Sequence, residues 1–246
     1  MSHKSIVRVA HRGASAQYPE NTLLAFRQAI EQGVDALEID IHCTADDELM
    51  VIHDSTLERT TNGRGSICDH NLREIQALDA GQGEKIPLFT EVIQLAREAQ
   101  VRLYVEIKGA TEPEELAITE GVIQTLQATD FLSQTIVTSF SSKALLRAKA
   151  LHPEVSTMLD PSPQDGSLTP RQICAQALAA GANCLSYDFH FLTPEIAKEC
   201  QLTGLALWPW APDEPQDIRK VLSLSVHGMM TNRPDTLNEV LHDVTL

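Results

Sequence analysis

The amino-acid sequence predicts an α/β protein, a (β/α)8 barrel of parallel strands with helices between them. Three observations carry that expectation. Short β-rich runs alternate with helical stretches along the whole chain. Strand candidates recur about every 15–30 residues, with one exception. The length, 246 residues, suits one barrel of about 250 residues.

Ile6 to Ala10 reads as the first strand. Asn21 then offers an N-cap, Leu23, Phe26 and Ile30 recur at helical spacing, and Gly33 ends the helix. Ala36 to Ile41 is the second strand and Arg102 to Ile107 the third. Thr135–Ser139, Val155–Leu159, Cys184–Tyr187, Leu205–Trp210 and Gly228–Thr231 complete the set. Helical patterns lie between them, among them Thr90–Ala99, Pro113–Leu126, Ser142–Leu151 and Thr169–Ala180. The exception in spacing is the gap of about 60 residues between the second and third strands. Its excess, residues 43–87, holds a short strand, Leu49–Ile52, and the turn-rich Thr61-Asn62-Gly63-Arg64-Gly65. It reads as a small insertion over one barrel mouth, within a single domain spanning residues 1–246, and not as a second core.

Asp and Glu number 34 against 19 Lys and Arg, a net charge of −15, and no window gathers the lysines into a basic stripe. Such a surface repels nucleic acid and anionic membranes, so neither is expected as a partner. An anionic ligand would need a local reversal of the field, by a metal ion or a small basic cluster. The 43% hydrophobic share is too high for intrinsic disorder, and no apolar run approaches a membrane span. Met1 to Arg8 lacks the apolar region of a secretory leader. The five cysteines (Cys43, Cys68, Cys174, Cys184 and Cys200) form no C-x-x-C pair. Both features lead to the expectation of a cytoplasmic protein with reduced thiols.

Polar residues interrupt two strands in the same way. In Leu37-Glu38-Ile39-Asp40-Ile41-His42 the aliphatic residues share one face, and Glu38, Asp40 and His42 the other. Leu103-Tyr104-Val105-Glu106-Ile107-Lys108 repeats the pattern. With the aliphatic faces against the helices, the carboxylates point into the barrel near the C-terminal strand ends. Either motif alone reads more simply as a salt-bridged strand end. Two on consecutive barrel strands point instead to a cation, because clustered ionised carboxylates are costly to bury unpaired. All-oxygen ligation suits Mg²⁺ or Ca²⁺ better than zinc. His11-Arg12-Gly13 ends the first strand and His53-Asp54 follows the short strand of the insertion, which delivers two histidines to the same mouth. His42, on the carboxylate face, and His190, after a strand, have weaker claims.

In order along the chain, His11-Arg12-Gly13, Pro19-Glu20-Asn21-Thr22, Glu38-Ile39-Asp40, His53-Asp54, Thr61-Asn62-Gly63, Ile86-Pro87-Leu88 and Glu106-Ile107-Lys108 resemble the glycerophosphodiester phosphodiesterases. The resemblance implies a TIM barrel with a small insertion after its second strand and a divalent-metal site. It also implies hydrolysis of glycerophosphodiesters to sn-glycerol 3-phosphate and an alcohol. By position it makes Glu38, Asp40 and Glu106 the metal ligands, and His11 and His53 the acid–base pair. It gives the phosphate to Arg12 and Lys108. Asp54 then either orients His53 or caps the following turn. Trp208 matches the aromatic residue of the family's late W-x-V-N segment and is expected to contact substrate. The family's asparagine is replaced here by Ala211. Thr231-Asn232-Arg233-Pro234-Asp235 resembles the family's closing motif, with a helix starting at Pro234.

The implied charges agree in sign. Three carboxylates, a divalent ion, Arg12 and Lys108 sum to one positive charge, which attracts a phosphodiester monoanion. Without the ion the sum is one negative charge, which repels it. Two other functions use parts of the same pattern. A metal-dependent sugar isomerase on this barrel would also set carboxylates and histidines at the mouth, with less need of Arg12 and Lys108. A binding protein would hold a glycerophosphodiester without turnover.

Overall fold

The computed structural model describes residues 6–161 and 168–245; most of the Met1 to Arg8 stretch read for a leader, residues 1–5, lies outside the described residues. The strands are β1 (Val7–His11), β2 (Ala36–Cys43), β3 (Leu49–Val51), β4 (Arg102–Ile107), β5 (Thr135–Ser139), β6 (Ser156–Leu159), β7 (Cys184–Asp188), β8 (Ala206–Trp210) and β9 (Gly228–Thr231). The helices are α1 (Leu23–Glu31), α2 (Leu72–Ala77), α3 (Phe89–Ala99), α4 (Glu112–Ala128), α5 (Ser142–Leu151), α6 (Pro170–Ala179), α7 (Pro194–Thr203), α8 (Pro215–Leu222) and α9 (Pro234–Thr245). Parallel pairing runs in the order β8-β7-β6-β5-β4-β2-β1-β9, and β3 pairs antiparallel with β2. The result is the expected barrel, nearly closed, with helices outside. Among the described residues no helix is long and apolar enough to cross a membrane.

The outward faces of the strands meet the helices in one core, in which Leu37, Ile39, Ile41, Leu103, Val105 and Ile107 pack with helix residues such as Phe26, Phe89 and Val122. The inward faces divide by depth. Val9, Ala36, Tyr104, Met158, Cys184, Trp208 and Met230 plug the barrel with apolar bulk, and the polar residues of the same strands lie above them at the C-terminal mouth. The insertion carries a small cluster of its own, including Met50, Ile52, Leu57, Ile67 and Ile75. It joins the barrel through the β2–β3 pairing.

Among the described residues the one gap in the ladder lies between β8 and β9, and His227 spans it. Its backbone N–H donates to Leu207 O at 3.1 Å and its Nδ1 accepts from Leu207 N–H at 3.2 Å. Gly228 follows, and a Cβ there would lie 1.8 Å from Cζ3 of Trp208. The Trp208 ring in turn rests on Tyr104, with centroids 5.1 Å apart. Gly228→Ala should therefore overpack this seam and lower stability by about 1–3 kcal/mol. A denaturant midpoint equal to that of the wild type would show that the ring can seat elsewhere.

Asn21 is not the cap of α1. Thr22 takes that place, with its Oγ1 accepting from Ala25 N–H at 3.2 Å. Asn21 stands in the left-handed region, with φ of 56°, which Asn tolerates better than most residues. This turns its side chain inward toward β2.

Candidate functional site

The register of the sheet assembles the carboxylates. Asp40 pairs with Glu106 across β2–β4, and Glu38 pairs with His11 across β1–β2. Because inward positions recur every second residue, Glu38, Asp40 and Glu106 converge, each offering an oxygen within 4.8 Å of the others. Glu38 and Asp40 are fully buried. Burial, reinforced by Asp40 and Glu106, pushes the Glu38 carboxyl well above its ordinary range. Burial acts on Asp40 in the same sense, but Lys108 and Arg12 outweigh it and hold that carboxyl low. Glu106 is raised, by burial first.

The two cations brace this cluster. Lys108 Nζ lies 2.6 Å from Glu106 Oε1 and 3.2 Å from Asp40 Oδ1. Arg12 Nε lies 3.3 Å from Asp40 Oδ2, and the backbone N–H of Arg12 donates to Glu38 Oε2 at 3.0 Å. Asn21 Nδ2 donates to Asp40 Oδ2 at 2.7 Å. Glu38 Oε1 is buried and accepts no hydrogen bond from the described residues. An all-oxygen donor set with a buried oxygen left unsatisfied fits a hard divalent cation.

Both histidines are fixed through Nδ1. His11 Nδ1 lies 2.7 Å from Asn232 Oδ1, an acceptor, so it carries the proton. Asn232 is oriented by donating from Nδ2 to Asp213 Oδ2 at 2.7 Å. His11 Nε2 is left with its lone pair, 3.9 Å from Glu38 Oε2. His53 Nδ1 donates to Asp54 Oδ1 at 2.7 Å. Arg59 grips Asp54 through Nε at 2.6 Å and reaches Glu20 through Nη1 at 2.7 Å. Glu20 also accepts from Arg12 Nη1 at 3.1 Å. His11, Arg12, Glu38, His53, Glu106 and Lys108 all line one cleft of about 430 Å³, and Asp40 lies beneath them.

The model of the glycerophosphoryl diester phosphodiesterase family matches residues 11–236. The chain belongs to this family. It is 35% identical over 236 residues to the glycerophosphodiester phosphodiesterase of Caldanaerobacter subterraneus subsp. tengcongensis, covering 93% of this chain and 95% of that one. It is 32% identical to the glycerophosphodiester phosphodiesterase of Bacillus subtilis, covering 98% of this chain and 88% of that one. Among solved structures it resembles an Oleispira antarctica phosphodiesterase in complex with the product sn-glycerol-3-phosphate. That likeness has a TM-score of 0.87 at 25% identity and covers 96% of each chain. It also resembles the Agrobacterium tumefaciens glycerophosphodiester phosphodiesterase, with a TM-score of 0.81 at 26% identity, covering 96% of this chain and 100% of that one.

Within this family member, the structure brings seven of the eight expected site residues together. Trp208 stands apart from them, deep in the barrel plug against Tyr104 and Gly228. Trp210, two residues on, lines the cleft instead. His42 lies beside the site and binds the backbone carbonyl of His53 through Nε2 at 3.0 Å. His190 is exposed and pairs with Asp188 at 2.7 Å. Asn21, Arg59, Asp213 and Asn232 were not legible as site residues. Asn21 reads as a cap, and Asn232, which Asp213 orients, lies 221 residues from His11.

Burial, with Arg12 second, pushes the His11 imidazole down to about 4 from its ordinary 6.5. The unfolded chain therefore takes up this proton first as the pH falls. The stabilisation from neutral His11 is complete above about 6.5 and is lost between there and about 4. In chelator, wild type should lose more stability than His11→Asn between pH 7.5 and pH 4.5, measured by urea midpoints. Equal losses would contradict the shift.

Proposed function

We propose that this chain hydrolyses glycerophosphodiesters to sn-glycerol 3-phosphate and an alcohol, with one hard divalent cation, Mg²⁺ or Ca²⁺, held by Glu38, Asp40 and Glu106. The observation that carries this reading is the convergence of those carboxylates with two Nδ1-anchored histidines and two cationic side chains in one cleft. Membership of the family and the names of its relatives support the reaction. When bound, the cation would neutralise the carboxylates and polarise a phosphoryl oxygen.

The chain's own residues divide the remaining work. Arg12 and Lys108 bind the phosphate and stabilise the charge that builds on it. His11, neutral with its lone pair on Nε2, takes the proton from the attacking hydroxyl. His53 donates a proton from Nε2 to the leaving alkoxide as the phosphorus–oxygen bond breaks. Burial lowers the His53 pKa, and the Asp54 contact pulls the other way; an incoming phosphodiester anion adds to that pull. The attacking hydroxyl is the 2-hydroxyl of the substrate, which gives a cyclic phosphate, or a water. A cyclic glycerophosphate trapped by ³¹P NMR in single-turnover samples marks the first route, and its absence marks the second.

The reading also includes a single domain over residues 1–246, with residues 43–87 as an insertion within it. It further includes a cytoplasmic location, which the five free cysteines support, and no nucleic-acid partner. The decisive assay is glycerol 3-phosphate release from glycerophosphocholine, glycerophosphoethanolamine and glycerophosphoglycerol, with Mg²⁺ or Ca²⁺ added. Release from at least one diester, with free aldoses left unconverted in parallel, is the expected result. No release from any diester overturns the proposal.

A further inference from the structure

The roles above draw on β1, β2, β4, the insertion and the segment after β9, and leave the β5–β8 side of the mouth without a task. That side is not inert. Asp160 follows β6, Ser186 lies on β7 and Trp210 ends β8, while Phe140 follows β5, and all four line the same cleft as the histidines. Asp160 is 5% exposed. Its Oδ2 accepts from Ser186 Oγ at 3.1 Å, and among the described residues its buried Oδ1 has no hydrogen-bond partner. Among the described residues no lysine, arginine or histidine forms an ion pair with it, whereas Asp40 and Glu106 each have Lys108.

A carboxylate this buried needs a partner that brings charge as well as a proton donor. A hydroxyl would supply a hydrogen bond and leave the charge uncompensated. Burial, then the field of Glu106, push the Asp160 carboxyl well above its ordinary range, against the pull of Ser186 and Trp210 and the weaker, more distant one of Lys108. A cation placed beside it reverses that preference. The neighbouring rings suit such a ligand, since the faces of Trp and Phe attract ammonium groups. Phe140 already has Lys108 Nζ 5.8 Å from its ring centroid. In strand order β5 lies between β4 and β6, so Phe140 stands between the phosphate-binding Lys108 and Asp160.

We propose that Asp160, with the rings of Trp210 and Phe140, forms a subsite for a cationic alcohol group of the diester, an ammonium or trimethylammonium one. This deepens the phosphodiesterase reading and rests on it. The subsite makes the enzyme selective for diesters of amino alcohols over uncharged ones.

The test compares kcat/KM for glycerophosphoethanolamine and glycerophosphocholine with that for glycerophosphoglycerol, in wild type and in Asp160→Asn. Asparagine keeps the shape, accepts from Ser186 through its Oδ1, and puts an uncharged NH2 group in place of the other carboxylate oxygen. The ratio of cationic to uncharged substrate should fall roughly tenfold, chiefly through KM, on the scale of a desolvated cation contact. A ratio that does not move overturns the subsite, as does an equal loss on all three diesters. Should Asp160→Asn fail to fold, wild type alone decides: ethanolammonium and choline should inhibit competitively and more strongly than glycerol, and equal inhibition overturns the subsite. If wild type releases glycerol 3-phosphate from none of the diesters, the hydrolase reading itself fails and takes the subsite with it. Turnover of all three with no selectivity in wild type removes the subsite alone.

Discussion

Replacing His53 with alanine should lower kcat by roughly 10²–10⁴-fold, the scale of general acid catalysis, with KM changed far less. An alkoxide leaves poorly without a proton, and His53 is held to deliver one. Asp54 fixes its Nδ1 at 2.7 Å and Arg59 fixes Asp54 at 2.6 Å. The leaving group makes the role testable. A glycerophosphodiester of p-nitrophenol departs as a stable phenolate and needs little acid help, so most of the loss in His53→Ala should disappear on that substrate. The loss in His11→Ala should persist, because the attacking hydroxyl must still be deprotonated. If activated and ordinary diesters suffer alike in His53→Ala, the acid is another group. If the activated diester rescues His11→Ala instead, the two roles are exchanged.

The carboxylate cluster is legible because charge marks the inward face of β2 and β4. Glu38, Asp40, Glu106 and Lys108 sit at alternating positions among aliphatics, and the register then does what alternation predicts. The strands from β5 to β8 carry no such marker. Their inward positions mix Thr138, Met158, Cys184 and Ser186, so Asp160 and Trp210 do not stand out as belonging to the cleft. Trp208 shows a second limit. Alternation places Trp208 and Trp210 on the same face, and only the depth of each residue in the barrel separates plug from cleft. Depth depends on stagger between strands and on Gly228 leaving room for the ring, which no single strand records.

Asn21 departs from the expected cap for a local reason. Asn and Thr are both good N-caps, and Asn21 and Thr22 are adjacent, so the choice falls to tertiary demand. Asp40 takes the Asn21 amide, and Thr22 caps the helix. The Asp213–Asn232–His11 chain is illegible for a related reason: Asn232 lies 221 residues from His11. Only closure of the barrel brings β9 beside β1.

Metal removal should have the other large effect. Chelation with EDTA should abolish turnover, and Mg²⁺ or Ca²⁺ should restore it. The same ions should stabilise the fold, since a ligand that binds only the native state at 100 times its Kd adds about 2.7 kcal/mol. For a chain of this size that is a rise in Tm of roughly 5–10 °C. In the ion-free cluster Glu38 is pushed toward its neutral form while Asp40 stays ionised between Arg12 and Lys108. Binding a cation must therefore release a proton from Glu38, so affinity should weaken as the pH falls. Glu106→Gln removes one ligand charge and should reduce both the Tm shift and the recovery of activity. Full turnover in EDTA, together with a Tm indifferent to both ions, would mean that the site works without an ion, at the single negative charge that Arg12 and Lys108 leave on it.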